Sequence, residues 1–103
     1  MLQVVPVHEF GKAIHPIAAA GQIEGGIQQG IGHTLTEDFL IDTSNGRPIN
    51  PGFVDYKMPL AMDMPPIRTI ILETDPSEGG PFGAKGIGED SRRPYGRQER
   101  ALG

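Results

Sequence analysis

The 103-residue sequence contains no cysteine and no run of about 18 apolar residues that would suit a membrane span. Without cysteine, the chain has neither a disulfide framework nor a thiolate metal site. The missing cysteine fits a reducing compartment, so we expect a cytoplasmic protein, with the periplasm as the alternative. The missing apolar run, together with the absence of a signal-peptide core, argues against a membrane partner.

An excess of positive charge is also missing. The formal net charge is -4 and the isoelectric point is about 5.2, whereas nucleic acids and anionic membranes bind basic surfaces. We therefore expect no nucleic-acid partner. The one basic cluster is "RRPYGRQER" at 92–100, which is typical of a solvated chain end.

Hydrophobic residues are scarce, at 37% of the chain, which is low for a self-sufficient globular domain. Glycine and proline are abundant instead, with 15 and 10 residues. This composition predicts a loop-rich folded segment, either one domain or a piece of one, that packs against other protein.

The longest periodic element runs from about Ile17 to Asp38, and Pro16 before it suits the first position of a helix. An apolar residue recurs every four positions, at Ile23, Ile27, Ile31 and Leu35. Five glycines interrupt the same segment, at positions 21, 25, 26, 30 and 32. Each destabilises a helix by about 1 kcal/mol relative to alanine. We therefore expect a neighbouring backbone or a ligand to lie close against the glycine flank.

The remaining segments predict short strands and loops. "LQVVPVHEF" at 2–10 indicates an edge strand, and "IRTIILETD" at 67–75 indicates a strand with a buried middle. "FLIDTSNGRPIN" at 39–50 predicts a hairpin around Asn45-Gly46, and 51–66, with four prolines, predicts an extended loop. The predicted fold class is α+β: one long glycine-rich helix packed on a small, mostly antiparallel sheet, with a glycine-rich loop.

That loop is "GGPFGAKGIGED" at 79–90. It is not a Walker loop, because Lys85 is followed by Gly86 rather than by serine or threonine. It is not a dinucleotide loop either, because Ser91 stands where the third glycine belongs. Its glycines still let backbone N–H groups approach a polar ligand. An unrelated small domain with an anion-holding loop is therefore one hypothesis.

Glu89, directly after the last glycine of the loop, has two interpretations. From its position alone it is more often a solvated loop glutamate, but in a partly dry site it would suit a general base. The three histidines, His8, His15 and His33, lack the spacing of metal ligands. We therefore predict no metal ligand among the side chains.

Three segments in this order resemble a known family. They are "GQIEGGIQQGIGHTLTE" at 21–37, "DYKMP" at 55–59 and "GPFGAKGIGE" at 80–89. Together they are similar to the C-terminal part of the molybdenum-binding (large) subunit of the xanthine dehydrogenase and aldehyde oxidase family. The resemblance covers roughly residues 1–90, and the pair G-Q-x-E-G-G and G-x-K-G-x-G-E is its most specific part.

The resemblance implies a fragment of a molybdopterin-binding domain from a molybdenum hydroxylase. Such an enzyme oxidatively hydroxylates an aldehyde or an N-heterocycle, with oxygen taken from water. By position in the motif, Glu89 is the general base, Gln22 matches a glutamine near the pterin, and Gly86 and Gly88 let the loop pass close to the cofactor. Because other segments of the subunit supply most pterin contacts, we expect this chain alone to bind no cofactor and to be inactive.

The resemblance also implies partners and boundaries. Residues 1–90 form the C-terminal segment of the molybdopterin-binding domain, and residues 91–103 form an atypical, flexible tail. The partners are the remainder of the molybdenum subunit and iron-sulfur and flavin subunits or domains. The alternative is a non-catalytic, truncated remnant that acts as a structural or self-associating module, for example as a homo-oligomer.

Overall fold

The computed structural model describes residues 3–88. The elements, in chain order, are β1 (Val7–Glu9), α1 (Pro16–Ile31), a π turn (Gly32–Thr36), a 3-10 turn (Ala61–Asp63), β2 (Ile70–Leu72) and a second 3-10 turn (Pro81–Gly83). Glu89 and the predicted tail at 91–103 lie outside the described residues. Across residues 3–88, no helix has the length and apolar character needed to span a membrane.

Helix α1 begins at Pro16, as predicted, because proline suits the first helical turn. His15 caps it, since the backbone N–H of Ala18 donates to His15 Nδ1 over 3.0 Å. The apolar stripe predicted from the sequence packs into the core at its first three positions. The core consists of Phe10, Ala13, Ala19, Ile23, Ile27 and Ile31.

The predicted stripe is wrong at its last position, because Leu35 is 55% exposed. The helix does not continue to Asp38 as an α-helix. It widens at Gly32 into a π turn, in which the N–H of Glu37 donates to the carbonyl of Gly32 over 2.8 Å. A bond that spans five residues rather than four rotates the following side chains relative to the α-helical register. Leu35 is thereby turned outward and the Glu37 side chain inward.

The two named strands form a parallel pair, with Val7 opposite Ile70 and Glu9 opposite Leu72. The prediction of a mostly antiparallel sheet is therefore wrong for these strands. The reason is topological, because α1 and the loops after it separate β1 from β2, whereas a short hairpin would have made them antiparallel. The predicted burial of the β2 middle is confirmed only in part: Ile71 is half-buried and packs against the core, whereas Ile70 and Leu72 are more than one-third exposed.

The predicted hairpin turn is confirmed. Ile41 and Pro48 form an antiparallel bridge, and Gly46 adopts a left-handed φ of 72° between them. Asn50 closes the base of the hairpin: it is buried, accepts from the N–H of Leu40 over 2.9 Å, and donates to the carbonyl of Asp38. This buried amide fixes the hairpin relative to the end of the π turn.

Carboxylates at the end of β1 and directly after β2 connect the two strand ends. Glu9 accepts from the N–H of Gly11 over 2.7 Å, from the N–H of Thr74 over 3.1 Å, and from the Thr74 hydroxyl. These hydrogen bonds, that of the Thr74 hydroxyl above all, lower the pKa of Glu9 from 4.5 to about 2. Glu73 similarly accepts from the N–H of Ala13 over 2.7 Å.

The Glu9 contacts predict an acid-sensitive contribution to stability. Because the folded pKa lies below the unfolded value of 4.5, the contribution is fully present above about pH 4.5 and is lost as the pH falls through about 2. Urea unfolding of the wild type and of Glu9→Gln, between about pH 6 and pH 2, measures it. We expect the difference in free energy of unfolding between the two proteins to shrink with falling pH. A constant difference would contradict the prediction.

Candidate functional site

One face of α1 borders an open hollow of about 400 Å³, which we call the glycine hollow. Its lining residues are Gly21, Gln22, Gly25, Gly26, Gln28, Gln29, Glu37, Met58, Pro59 and Gly88. Three parts of the chain therefore meet around it: the helix, the loop after Tyr56 and the end of the glycine-rich loop. These are the three segments that carry the family resemblance in the sequence.

The helix side of the glycine hollow is free of side chains at two positions where side chains would fit. A Cβ placed on Gly21 or on Gly25 meets no atom within 4 Å. Packing within the described protein therefore gives no reason for glycine at either position, although each glycine costs the helix about 1 kcal/mol. A bulky ligand or another protein segment would require the space that these two glycines leave open.

The glycine-rich loop contains two kinds of glycine. A Cβ on Gly80 would collide with the carbonyl of Ala84, and Gly83 has a φ of +80° with Pro76 beside it. These two glycines serve the folding of the loop itself. Gly86 and Gly88, in contrast, have nothing within 4 Å of a Cβ. Gly79 is open in the same way, so crowding of an external group can explain glycine at Gly79, Gly86 and Gly88 but not at Gly80 and Gly83.

The far wall of the glycine hollow is formed by Met58 and Pro59, and the helix holds it in place. Gln28 Nε2 donates to the carbonyl of Pro59 over 3.2 Å. The Pro59 ring is buried and lies so near Gly32 that a Cβ there would be 2.8 Å from Pro59 Cδ. The absence of a side chain at Gly32 therefore sets how closely this wall approaches the helix.

Glu37 lies at the corner between helix and wall, with only 9% of its side chain exposed. Its Oε2 accepts from the Tyr56 hydroxyl over 2.6 Å and lies 3.3 Å from His33 Nε2. The hydrogen bond to Glu37 is the main cause that raises the pKa of Tyr56 above its usual value. Tyr56 also packs edge-on against Phe39, with ring centroids 6.5 Å apart.

A second hollow of about 350 Å³ adjoins the first, since Gln22 lines both. Its other lining residues include His15, Lys12, Lys85 and Ile87. The two lysines are engaged in ion pairs: Lys85 Nζ lies 2.7 Å from Asp75, and Lys12 Nζ lies 3.2 Å from Glu73. The charge of this hollow is therefore largely compensated by the chain itself.

The structure brings some of the predicted site residues together. Gln22 and Gly88 line the same hollow, whereas Gly86 lines a small cavity of about 50 Å³ that is also bordered by His8, Phe10 and Ile23. The predicted base, Glu89, follows Gly88 in the sequence but is not among the described residues. Within residues 3–88, no three His, Asp or Glu side chains are grouped so that they could hold a metal ion.

With this geometry in view, comparison with known proteins identifies the family. Residues 1–65 match the model of the molybdopterin cofactor-binding domain. The chain belongs to this family. It corresponds to a fragment of the molybdenum-binding subunits of the xanthine dehydrogenase and aldehyde oxidase family.

Two curated relatives of this chain are subunits by name. The 6-hydroxypseudooxynicotine dehydrogenase complex subunit gamma of Paenarthrobacter nicotinovorans is 44% identical over 81 residues, which are 79% of this chain and 10% of the relative. The xanthine dehydrogenase molybdenum-binding subunit of Escherichia coli O157:H7 is 36% identical over 87 residues, 84% of this chain and 11% of the relative. The chain thus spans about a tenth of the length of the curated relatives it matches.

A solved structure supports the same assignment. The crystal structure of quinoline 2-oxidoreductase from Pseudomonas putida 86 superimposes with a TM-score of 0.79 at 39% identity, covering 90% of this chain and 12% of that one. The helix, the parallel strand pair and the glycine-rich loop are therefore parts of a known molybdenum-enzyme architecture rather than a separate small fold.

The residues around the glycine hollow are compatible with a pterin cofactor. The open helix face at Gly21 and Gly25 provides room for a flat ring system. The neighbouring amides of Gln22, Gln28 and Gln29 can both donate and accept hydrogen bonds, as the edge of a pterin requires. These lining residues therefore fit the organic part of the cofactor.

Proposed function

We propose that this chain is the part of a molybdenum hydroxylase that borders the cofactor and carries the general base. The enzyme oxidatively hydroxylates an aldehyde or an N-heterocycle with oxygen from water. The observation that carries this proposal is the convergence of the helix glycines, Gln22 and Gly88 on one open hollow. The names of the relatives, which include quinoline 2-oxidoreductase and xanthine dehydrogenase, support the substrate class.

Each proposed site residue has its own task. Hydroxylation of a C–H bond by water releases two electrons and two protons, and the molybdenum cofactor, when bound, accepts the electrons. Gln22 hydrogen-bonds the pterin, and Gly86 and Gly88 leave the loop without side chains beside it. Glu89 accepts a proton from the water that supplies the oxygen, a task that suits a carboxylate in a partly dry site.

The proposed partners follow from the exposed apolar surface. Within segment 53–62, five large apolar side chains are more than half exposed: Phe53, Val54, Met58, Leu60 and Met62. Contiguous exposed apolar side chains mark interaction surfaces in soluble proteins. We propose that the remainder of the molybdenum subunit covers this segment, and that iron-sulfur and flavin subunits or domains complete the electron-transfer chain.

A chimera tests the proposed function. Residues 1–90 replace the corresponding segment of quinoline 2-oxidoreductase, and molybdenum content and quinoline turnover are measured. If the segment has the proposed role, the chimera retains both. A Gly25→Leu version fills the glycine hollow and should lose molybdenum, whereas Glu24→Leu, one position along the helix and outside the lining, should not. Equal molybdenum content in the two variants would remove the hollow from cofactor binding.

The alternative is a non-catalytic remnant that self-associates. It draws on the same exposed apolar side chains, which a second copy would also cover. Metal analysis of the isolated 103-residue chain, combined with its mass in solution, bears on this alternative. We expect no stoichiometric molybdenum in the isolated chain. A stable oligomer, together with a chimera that binds no molybdenum, would favour the remnant.

A further inference from the structure

We propose that Glu37 is a positioning residue, whose buried carboxylate fixes the Tyr56–Pro59 wall at a set distance from the helix face. This inference rests on the proposed function, because it concerns the width of the same glycine hollow. Glu37 lies at the junction of the two elements that border the hollow, and it contacts both. No other described carboxylate lines that hollow.

The first contact is with the wall. The Tyr56 hydroxyl donates to Glu37 Oε2 over 2.6 Å, and a hydrogen bond to a buried carboxylate is among the stronger kinds. Tyr56 leads into the wall along the chain. Its carbonyl accepts from the N–H of Met58 over 3.2 Å, and its own N–H donates to the carbonyl of Gly52 over 2.8 Å. Fixing the phenol therefore fixes the backbone that leads to Met58 and Pro59.

The second contact is with the helix. The π turn places the N–H of Glu37 against the carbonyl of Gly32, and the carboxylate lies over the Cα of Gly32, where a Cβ would collide with Oε1. Pro59 Cδ and Cγ lie 2.8 and 2.9 Å from the same Cβ position. The Glu37 carboxylate and the Pro59 ring thus occupy the space that the missing side chain of Gly32 leaves. The distances of both groups from the helix therefore depend on each other.

A neighbouring histidine fits this arrangement. His33 Nε2 lies 3.3 Å from the same carboxylate and is half exposed, so it contributes a contact from the solvent side. A buried carboxylate without such partners would be costly. The π turn supplies this set of contacts, and π turns occur often at functional sites.

The test uses the full 103-residue chain and two mild variants, Glu37→Gln and Tyr56→Phe, with Glu24→Gln as the control carboxylate. Amide hydrogen exchange at Tyr56 and Met58 reports the order of the wall. We expect about tenfold faster exchange in both variants, as the loss of one hydrogen bond to a charged group implies, and no change in the control. Unchanged exchange in Tyr56→Phe would overturn the proposal.

A spectroscopic titration separates this contact from general loosening. The chain has two tyrosines, Tyr56 and Tyr95, so Tyr95→Phe leaves Tyr56 as the one phenol that titrates. Because the hydrogen bond to Glu37 raises the pKa of Tyr56, Glu37→Gln in this background should lower the pH at which the phenol ionises, whereas Glu24→Gln should leave it unchanged. The same phenol titration with and without Glu37→Gln would contradict the contact itself.

The last measurement links the wall to the hollow. In the quinoline 2-oxidoreductase chimera, Tyr56→Phe should lower the molybdenum content, while turnover per bound molybdenum changes little, because the wall shapes the space for the cofactor and does not react. A fall in turnover per molybdenum with the molybdenum content unchanged would overturn the positioning role. If the unmutated chimera is inactive, the proposed function fails, yet the exchange and titration results still decide whether Glu37 fixes the wall.

Discussion

Replacing Glu89 by glutamine is expected to lower the turnover of the chimeric hydroxylase by about two to four orders of magnitude, the usual contribution of a general base. Glutamine has nearly the same shape but cannot accept the proton, so binding of the cofactor should be unaffected. We therefore expect a lower kcat with unchanged molybdenum content. Steady-state kinetics with quinoline, and metal analysis of the same preparation, measure both quantities.

The next residue provides the matched control. Asp90 is also a carboxylate, so Asp90→Asn removes the same charge from the same stretch of chain. If Glu89 acts by proton transfer, the control retains most of the activity. Equal losses in the two variants would indicate a general effect of charge on the loop. Full activity in Glu89→Gln would exclude Glu89 as the base and leave the chain with a cofactor-bordering role only.

Features of the fold that depend on local chemistry could be predicted from the sequence. Pro16 marks the start of the helix because its ring suits the first turn, and Asn45-Gly46 marks the hairpin turn because glycine adopts a positive φ there. The pairing of β1 with β2 could not be predicted, because no local signal in either strand tells a parallel neighbour from an antiparallel one.

The candidate site shows the same division. Gly21 and Gly25 indicate an open helix face, because glycine destabilises a helix and nothing in the local sequence requires it at these positions. Glu37 carries no comparable signal. Glu37 lies one residue before Asp38, where the predicted helical segment ends. It lines the glycine hollow because the π turn at Gly32 changes the direction of its side chain. An α-helical period applied to the sequence therefore predicts that Leu35, rather than Glu37, is buried.

Gly11→Ala is expected to be strongly destabilising, because Gly11 lies where the end of β1 packs against the glycine-rich loop. Gly11 has a φ of +65°, and a Cβ there would collide with the carbonyl of Gly83 and lie 3.2 Å from the N–H nitrogen of Ser77. The left-handed conformation costs about 1–2 kcal/mol for alanine, and overpacking adds about 1–3 kcal/mol. Urea unfolding of the full chain measures the total.

Gly46→Ala separates the two contributions. Gly46 has a similar φ of +72°, but a Cβ there meets nothing within 4 Å. We therefore expect Gly46→Ala to lose about 1–2 kcal/mol and Gly11→Ala to lose distinctly more. Only Gly11→Ala should also speed amide exchange at Lys85, whose N–H donates to the carbonyl of Phe10 over 2.8 Å. Lys85 lies three residues before Gly88, which lines the glycine hollow. Equal losses of free energy of unfolding in the two variants would therefore mean that the end of β1 does not hold the loop against the hollow.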